Sequence, residues 1–317
     1  MNRLVTLGES MACLRAGRVG PLRHAGLMGL SVAGAESNVA IGARRLGIPV
    51  TYVGCVGADQ FGDLVRSCLS AEAVEAQLRT DPRRPTGLMV TEHRMSDLRR
   101  VRYYRSGSAG SGLQPDDISS AQLDQAGLVH LTGITVMLSD SAYEAVLWAA
   151  ELARQRQVPV SVDLNYRAAL GSPAAWRARM LPLLAATRLL FASLEEARLL
   201  LGRAGLSTPE DLIAALRDTG PAEVVLTDGS RGAWAGAADS TVRQPSCRVA
   251  AIDAIGAGDA FVAGYVAERI HGADLAARLD TAARVAAICV ATEGDWEGLP
   301  TRPELSLLGQ GSGAVHR

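Results

Sequence analysis

Leu128-Val129-His130-Leu131, Val158-Pro159-Val160-Ser161-Val162, Arg188-Leu189-Leu190-Phe191 and Glu223-Val224-Val225-Leu226 recur through the middle of the chain as short apolar runs. Longer segments of a different period separate them. Tyr143, Val146, Leu147, Ala150 and Ala153 share one face of a helix, and residues 176–184, 195–201 and 209–216 read as further helices. Short strands apolar on both faces, alternating with helices, predict a parallel sheet with helical crossovers on either side. The fold class that follows is α/β: a three-layer αβα sandwich with a mostly parallel central sheet.

The flanks extend this pattern. Residues 4–7 form a short apolar run that ends at Gly8, as a buried strand would. From Glu36 a helical stripe of Val39, Ala43 and Leu46 runs to Gly47, a helix-closing glycine. Residues 49–55 read as strand and 61–69 as helix. Residues 86–91 and 101–105 read as strands with no helix between them, which predicts an antiparallel hairpin or an edge piece. Residues 11–33, rich in Gly and Arg, are expected to give short exposed strands. The two segments, about 11–33 and 86–105, would form a small β-sheet lid. Residues 232–252 contain short strands and turns, and two helices close the chain at about 258–268 and 273–291. The Gly-rich tail 309–317 is expected to be disordered. With no repeat and no linker, residues 1–317 read as a single domain.

Bulk properties exclude several function classes. The 317 residues are 48% hydrophobic, enough to cover both faces of a sheet, and the formal net charge of −1 argues against a nucleic-acid binder that relies on a strong basic field. All 32 Lys+Arg residues are arginine. Five cysteines (Cys13, Cys55, Cys68, Cys247 and Cys289) include no C-x-x-C pair, which argues against a disulfide framework or thiolate metal site. Cys55 and Cys289 lie in apolar runs and are expected to pack as small hydrophobes. The N-terminus lacks the apolar core of a signal peptide, and no window is long and apolar enough to span a bilayer. The expectation is a cytoplasmic protein without nucleic-acid or membrane partners.

Chemistry concentrates in Asp253-Ala254-Ile255-Gly256-Ala257-Gly258-Asp259-Ala260-Phe261. Glycines at a turn into a helix let backbone N–H groups approach an anion, and the helix N-terminus adds partial positive charge. A phosphate is the natural guest. An acid beside a phosphate does not help to bind it, so Asp259 is explained as a base for an attacking hydroxyl. A Gly-rich turn whose Asp merely caps the helix is the competing reading of these residues alone.

Two distant segments enlarge the motif. Gly34-Ala35-Glu36-Ser37-Asn38-Val39-Ala40, continuing through Leu46-Gly47, and Val56-Gly57-Ala58-Asp59-Gln60-Phe61-Gly62 resemble the N-terminal signature of the ribokinase-like (PfkB) family of sugar kinases, and residues 253–261 resemble its C-terminal signature. The resemblance spans nearly the whole chain. It implies a ribokinase-like fold and ATP-dependent phosphoryl transfer with Mg2+; a monovalent cation such as K+ is also common in the family. Gly8-Glu9-Ser10, Tyr103-Tyr104-Arg105-Ser106-Gly107-Ser108-Ala109-Gly110-Ser111 and Asp163-Leu164-Asn165-Tyr166-Arg167 resemble, within the family, the 2-keto-3-deoxygluconate kinases.

This resemblance implies Asp259 as the base and the backbone of Gly256, Ala257 and Gly258 as the anion hole. Gly34, Asn38, Tyr103, Arg105, Arg167 and Asp295 would bind the sugar. A guanidinium suits the carboxylate of a sugar acid, so Arg105 and Arg167 are the candidate partners. Ser37 or Asn38 could instead cap a helix. Asn165, Ser193, Glu196, Thr227, Gly229 and Gly232, with Gly256 and Gly258, would serve the nucleotide, and Glu196 the metal. The sequence departs from the family where Ser193 replaces a usual Asn, Thr227 a frequent Lys and Ala254 a frequent Thr. The rival readings are a fructokinase or nucleoside kinase of the same family and a non-catalytic sugar-binding regulator. Exposed lid strands suggest a homodimer or higher homo-oligomer.

Overall fold

The computed structural model describes residues 2–95, 98–202, 208–238 and 240–308. In chain order the elements are β1 (Arg3–Leu7), β2 (Met11–Ala16), β3 (Met28–Ala33), α1 (Ala35–Arg45), β4 (Val50–Gly57), α2 (Gln60–Ala71), β5 (Glu75–Asp81), β6 (Leu88–Met95), β7 (Leu98–Tyr104), β8 (Ala126–Thr132), α3 (Gly133–Leu138), α4 (Asp140–Gln155), β9 (Val160–Asp163), α5 (Pro173–Leu184), β10 (Leu189–Ser193), α6 (Leu194–Leu201), α7 (Pro209–Arg217), β11 (Glu223–Thr227), β12 (Ala233–Ala237), β13 (Ser240–Gln244), α8 (Ala257–His271) and α9 (Leu275–Val290).

The large sheet has the order β13-β12-β11-β10-β9-β8-β1-β4-β5. Every pairing from β11 to β5 is parallel, and β12 and β13 are antiparallel additions at one edge. Strand alternation divides the core. Leu4, Leu128, Leu189, Phe191 and Val225 face α1, α2, α8 and α9. Val5, Leu7, Val129, Leu131, Leu190 and Val224 face α3 to α7 on the other side. Trp176, Tyr52 and Tyr265 are the largest side chains sealed in these layers, and each such burial contributes on the order of 1.5–3 kcal/mol. Cys55 and Cys289 are buried free thiols within the packing.

The small sheet has the order β3-β2-β6-β7. Its β6–β7 hairpin is antiparallel as expected, but β2 pairs with β6 in parallel, so the sheet is mixed. Residues 11–33 are also not uniformly exposed. Met11, Ala12 and Cys13 of β2 are buried, and only the first half of β3 is open to solvent. Asp59 roots this sheet in the main body: its carboxylate caps α2 by accepting from Gly62 N at 2.8 Å, and it also accepts from Thr86 N at 2.8 Å just before β6.

Two elements are absent from the sequence reading. In β5 the residues Glu75-Ala76-Gln77-Leu78-Arg79-Thr80-Asp81 form an edge strand without an apolar run. In α3 the run Gly133-Ile134-Thr135-Val136-Met137-Leu138 carries no polar face. The tail expected to be disordered, residues 309–317, lies outside the described residues. Among the described residues, no helix is long and apolar enough to cross a membrane.

His130 on β8 is fully buried beside the Phe191 ring, with Ser161 Oγ 3.1 Å from Nδ1 and no partner for Nε2. Burial pushes its pKa down to about 3. An unfolded chain binds this proton below about pH 6.5 and the folded one does not. Stability is therefore constant above that pH and falls on acidification, by about 1.4 kcal/mol per pH unit from this residue. Urea unfolding at pH 7 and pH 5 is expected to show a smaller loss in His130→Gln than in the wild type; equal losses would remove the explanation.

Candidate active site

The parallel strands end along one edge. Asp163, Ser193 and Thr227 end β9, β10 and β11, and all three line a cleft of about 440 Å3. The turn 254–258 and the first residues of α8 form another wall. Val101 and Tyr103 of β7 reach it from the small sheet, whose inner face also carries Met11, Cys13 and Met89. A cleft at the carboxyl ends of parallel strands is where open α/β sheets bind ligands.

The turn into α8 depends on Gly256, which has φ +77°, and a Cβ there would lie 1.9 Å from the Asp295 carbonyl oxygen. No side chain fits that approach. Ala257 N donates a long 3.3 Å bond to Ala254 O, and the first helical bond runs from Ala260 N to Gly256 O at 2.8 Å. The N–H groups of Gly258 and Asp259 thus have no acceptor within the helix. A side chain at Gly258 would meet no protein atom. The free donors and open space suit a phosphate, with Gly258 and Asp259 rather than Ala257 as the better-placed donors. The turn closes through the Ala254 carbonyl, which any residue offers.

Asp259 is buried in the first turn of α8. Asn38 Nδ2 donates to its Oδ2 at 2.8 Å. Asn38 therefore reaches across to α8, whereas Ser37 stays local, donating to Gly34 O at 2.9 Å. Gly34 packs so closely that a Cβ would lie 2.5 Å from Glu9 O. Burial first, then the neighbouring charge of Asp295, push Asp259 up to about 7, against the opposing Asn38 bond and the Arg167 charge. Burial likewise raises Asp295 to about 6, opposed by the nearby Asn38 amide. Two neighbouring carboxyls thus have pKa values that burial has moved to near neutrality, and the Asn38 amide is bonded to one of them, Asp259. Asn38 and Asp295 lie beside Asp259, and neither they nor Gly34 line the cleft.

The two candidate arginines part company. Arg167 is exposed at the cleft, donates only a 3.4 Å bond to its neighbour's carbonyl (Tyr166 O), and pairs with no carboxylate among the described residues. Arg105 is buried and committed to Glu9: its Nε lies 2.6 Å and its Nη2 2.5 Å from Glu9 Oε2. Its guanidinium also stacks over the Tyr103 ring at 5.4 Å. Glu9, sealed from solvent and bonded by Ser108 Oγ as well, belongs to the site's framework. The run Gly8-Glu9-Ser10 contained it, but nothing in the sequence pairs an acid with an arginine 96 positions away.

Asn165, expected to serve a nucleotide, stands at φ +37° and its amide donates to Asp163 Oδ2 at 3.2 Å. Glu196 Oε1 accepts from Tyr166 N at 2.7 Å, and Oε2 accepts from Ser193 N at 2.8 Å. Ser193 Oγ in turn accepts from Glu196 N at 3.1 Å, so this pair forms a capping box on α6. Ser193 therefore keeps the capping role that an Asn would have. Thr227 lines the cleft. Gly229 and Gly232 do not; they shape the turn to β12, where Asp228 N donates to Gly232 O at 2.9 Å. Asp163, quoted in its motif but not singled out, is raised well above the usual range by burial and by the Glu196 and Asp259 charges. No cluster of three metal-binding side chains exists among the described residues.

Comparison with known proteins identifies the family. The model of the pfkB family carbohydrate kinases matches residues 1–302. A 2-dehydro-3-deoxygluconokinase from Thermoproteus tenax is 35% identical, with 97% of this chain and 94% of the relative covered. One from Bacillus subtilis is 31% identical, with 99% and 97% covered. An E. coli ribokinase II candidate in complex with ATP and Mg2+ superimposes with a TM-score of 0.89 at 26% identity, covering 97% of this chain and 99% of that one. The chain has the ribokinase-like fold, and it belongs to the pfkB family of carbohydrate kinases.

Proposed function

We propose that this kinase transfers the γ-phosphoryl group of ATP to the primary hydroxyl of a 2-keto-3-deoxy sugar acid, 2-keto-3-deoxygluconate, giving its 6-phosphate. The observation that carries the reading is a buried carboxyl, Asp259, at the anion-binding turn of a cleft that also holds the uncommitted guanidinium of Arg167. The names of the T. tenax and B. subtilis relatives support the same substrate.

Asp259 accepts the hydroxyl proton as the oxygen attacks phosphorus, and Asn38 keeps the receiving carboxylate in place. The Gly258 and Asp259 N–H groups stabilise charge on the phosphoryl oxygens. Arg167 takes the sugar carboxylate, while Arg105, neutralised by Glu9, holds Tyr103 over the cleft. Asp163 stands beside Glu196 at the nucleotide end, where burial and the Glu196 charge oppose its ionisation, and a divalent cation would relieve that opposition. Mg2+ held there with phosphate oxygens would neutralise charge on the nucleotide. The small sheet covers the cleft and limits the entry of water. A carboxylate-free sugar, as in a fructokinase, would leave Arg167 without a partner.

The outer face of the lid presents Met28, Leu30 and Tyr104 to solvent, at 37, 54 and 62% exposure. We read this face as the contact with a second copy of the chain.

Asp259→Asn is expected to keep sugar binding and lose about 10²–10⁴ in kcat; near-normal turnover would remove the base. Because the base must be ionised, kcat/KM should rise with pH up to about 7 and then level off. Asp295→Asn removes a neighbouring negative charge and should move that inflection to lower pH. In an ADP-release assay on 2-keto-3-deoxygluconate, 2-keto-3-deoxygalactonate, fructose and ribose, the sugar acids are expected to lead. Arg167→Ala should raise KM for them alone; fructose or ribose as best substrate would favour the rival kinases, and no ADP release a regulator. Sedimentation should find a dimer that Leu30→Arg dissociates, and a monomeric wild type would end the lid-contact proposal.

A further inference from the structure

Arg99 lies on the inner face of β7, in phase with Val101 and Tyr103. Its guanidinium crosses to the loop before the phosphate turn. Nε lies 2.9 Å from Asp253 Oδ1, Nη2 donates to Ile252 O at 3.1 Å, and Nη1 is 3.8 Å from Glu293 Oε1. The Asp253 side chain is 1% exposed and that of Arg99 12%. Asp253 is also the hub of the turn. Its Oδ1 accepts from Ile255 N at 3.2 Å and its Oδ2 from Gly294 N at 3.4 Å. The backbone N–H groups of Ile252 and Asp253 both donate to Val290 O, at 2.7 and 3.1 Å. Three residues further on stands Gly256, seated on the Asp295 carbonyl.

Two features make a purely stabilising role a poor explanation. A buried ion pair generally gains little over apolar packing, because both charges must be stripped of water. The pair also spans two bodies, a lid strand and the wall of the cleft it covers. Arginine suits this position because its planar fork can meet a carboxylate and a carbonyl together, which lysine's point charge cannot.

We propose that Arg99 is a positioning residue, a clamp borne by the lid that makes the geometry of the anion-binding turn depend on the lid being seated. It acts through Asp253, not on the substrates. With the lid seated, the guanidinium fixes Asp253, and Asp253 fixes the N–H of Ile255 and the loop at Gly294 that flank Gly256 and Asp295. With the lid displaced, Asp253 loses that partner and the turn relaxes. This inference rests on the phosphoryl-transfer reading of the turn and extends it to lid control.

The test measures kcat and both KM values, per folded protein, in Arg99→Ala, Arg99→Lys, Asp253→Asn and the Arg99→Ala/Asp253→Asn double variant. A misaligned reacting geometry costs about 10²-fold, so Arg99→Ala is expected to lose roughly 10- to 100-fold in kcat, with both KM values within about threefold of wild type. Arg99→Lys should recover part of the loss. The double variant should be no slower than the worse single one, as for one shared interaction. ATP hydrolysed per sugar phosphorylated should rise in Arg99→Ala as water gains access. A kcat within about twofold of wild type, or a loss carried by KM instead of kcat, overturns the clamp. If Arg99→Ala does not fold, Arg99→Gln is read by the same criteria. Asp259→Asn measured alongside separates the two ideas: an active Asp259→Asn defeats the base, whereas an inactive one with a normal Arg99→Ala defeats only the clamp.

Discussion

The 2.8 Å bond from Asn38 Nδ2 to Asp259 Oδ2 joins residues 221 positions apart, and the rest of the site is arranged around it. Asp259 is buried at the start of α8, where an ionised carboxylate loses most of its solvation. Burial makes it a stronger base than a solvated aspartate, but an unsupported buried charge would be costly. The Asn38 amide supplies a fixed donor in place of water. Bringing it there requires α1 and α8 to pack side by side, with Gly42 facing Ala263, and requires β1 to lie between β4 and β8 so that α1 begins at the correct edge of the sheet.

The topology was legible because the relevant signals are local. Apolar runs of strand length alternate with helical stripes, and both faces of a parallel sheet are covered, so Val129 and Leu131 could be read as buried without knowing which helices bury them. The two missed elements carried no such signal: β5 is a polar edge strand and α3 an apolar run too short for a face. The character of β2 was misjudged for a related reason. Gly and Arg in the surrounding segment suggested exposure, but Met11 to Cys13 are covered by the lid's own packing and by α2.

Within the site, residues that act through the backbone or stand at strand ends were readable. Gly256, Gly258, Asp259, Asn165 and Arg167 line one cleft, as the motifs suggested. Commitments between distant side chains were not readable. Nothing local distinguishes Arg105, spent on Glu9, from Arg167, which faces the cleft uncommitted. The same blindness hid Arg99, one arginine among many on a polar strand, until the fold set it beside Asp253. In an arginine-rich chain, composition says how many guanidinium groups exist, and only tertiary structure says which are already neutralised.

The parallel pairing of β2 with β6 has a mechanical consequence. A simple hairpin leaves the main body and returns to it once, and can fray or twist on two hinges. Here two separate stretches of chain are woven into one sheet, so four chain crossings root it. These lie next to Ser10, Gly34, Gly87 and Arg105, and all four of these residues adjoin the buried side chain or backbone of Glu9. Such a sheet is a stiff lever with its fulcrum at Glu9. A lever of this kind can move at its tip while its root barely shifts, which leaves the Glu9 contacts at the root in place even when contacts made further out, such as that of Arg99 with Asp253, are released.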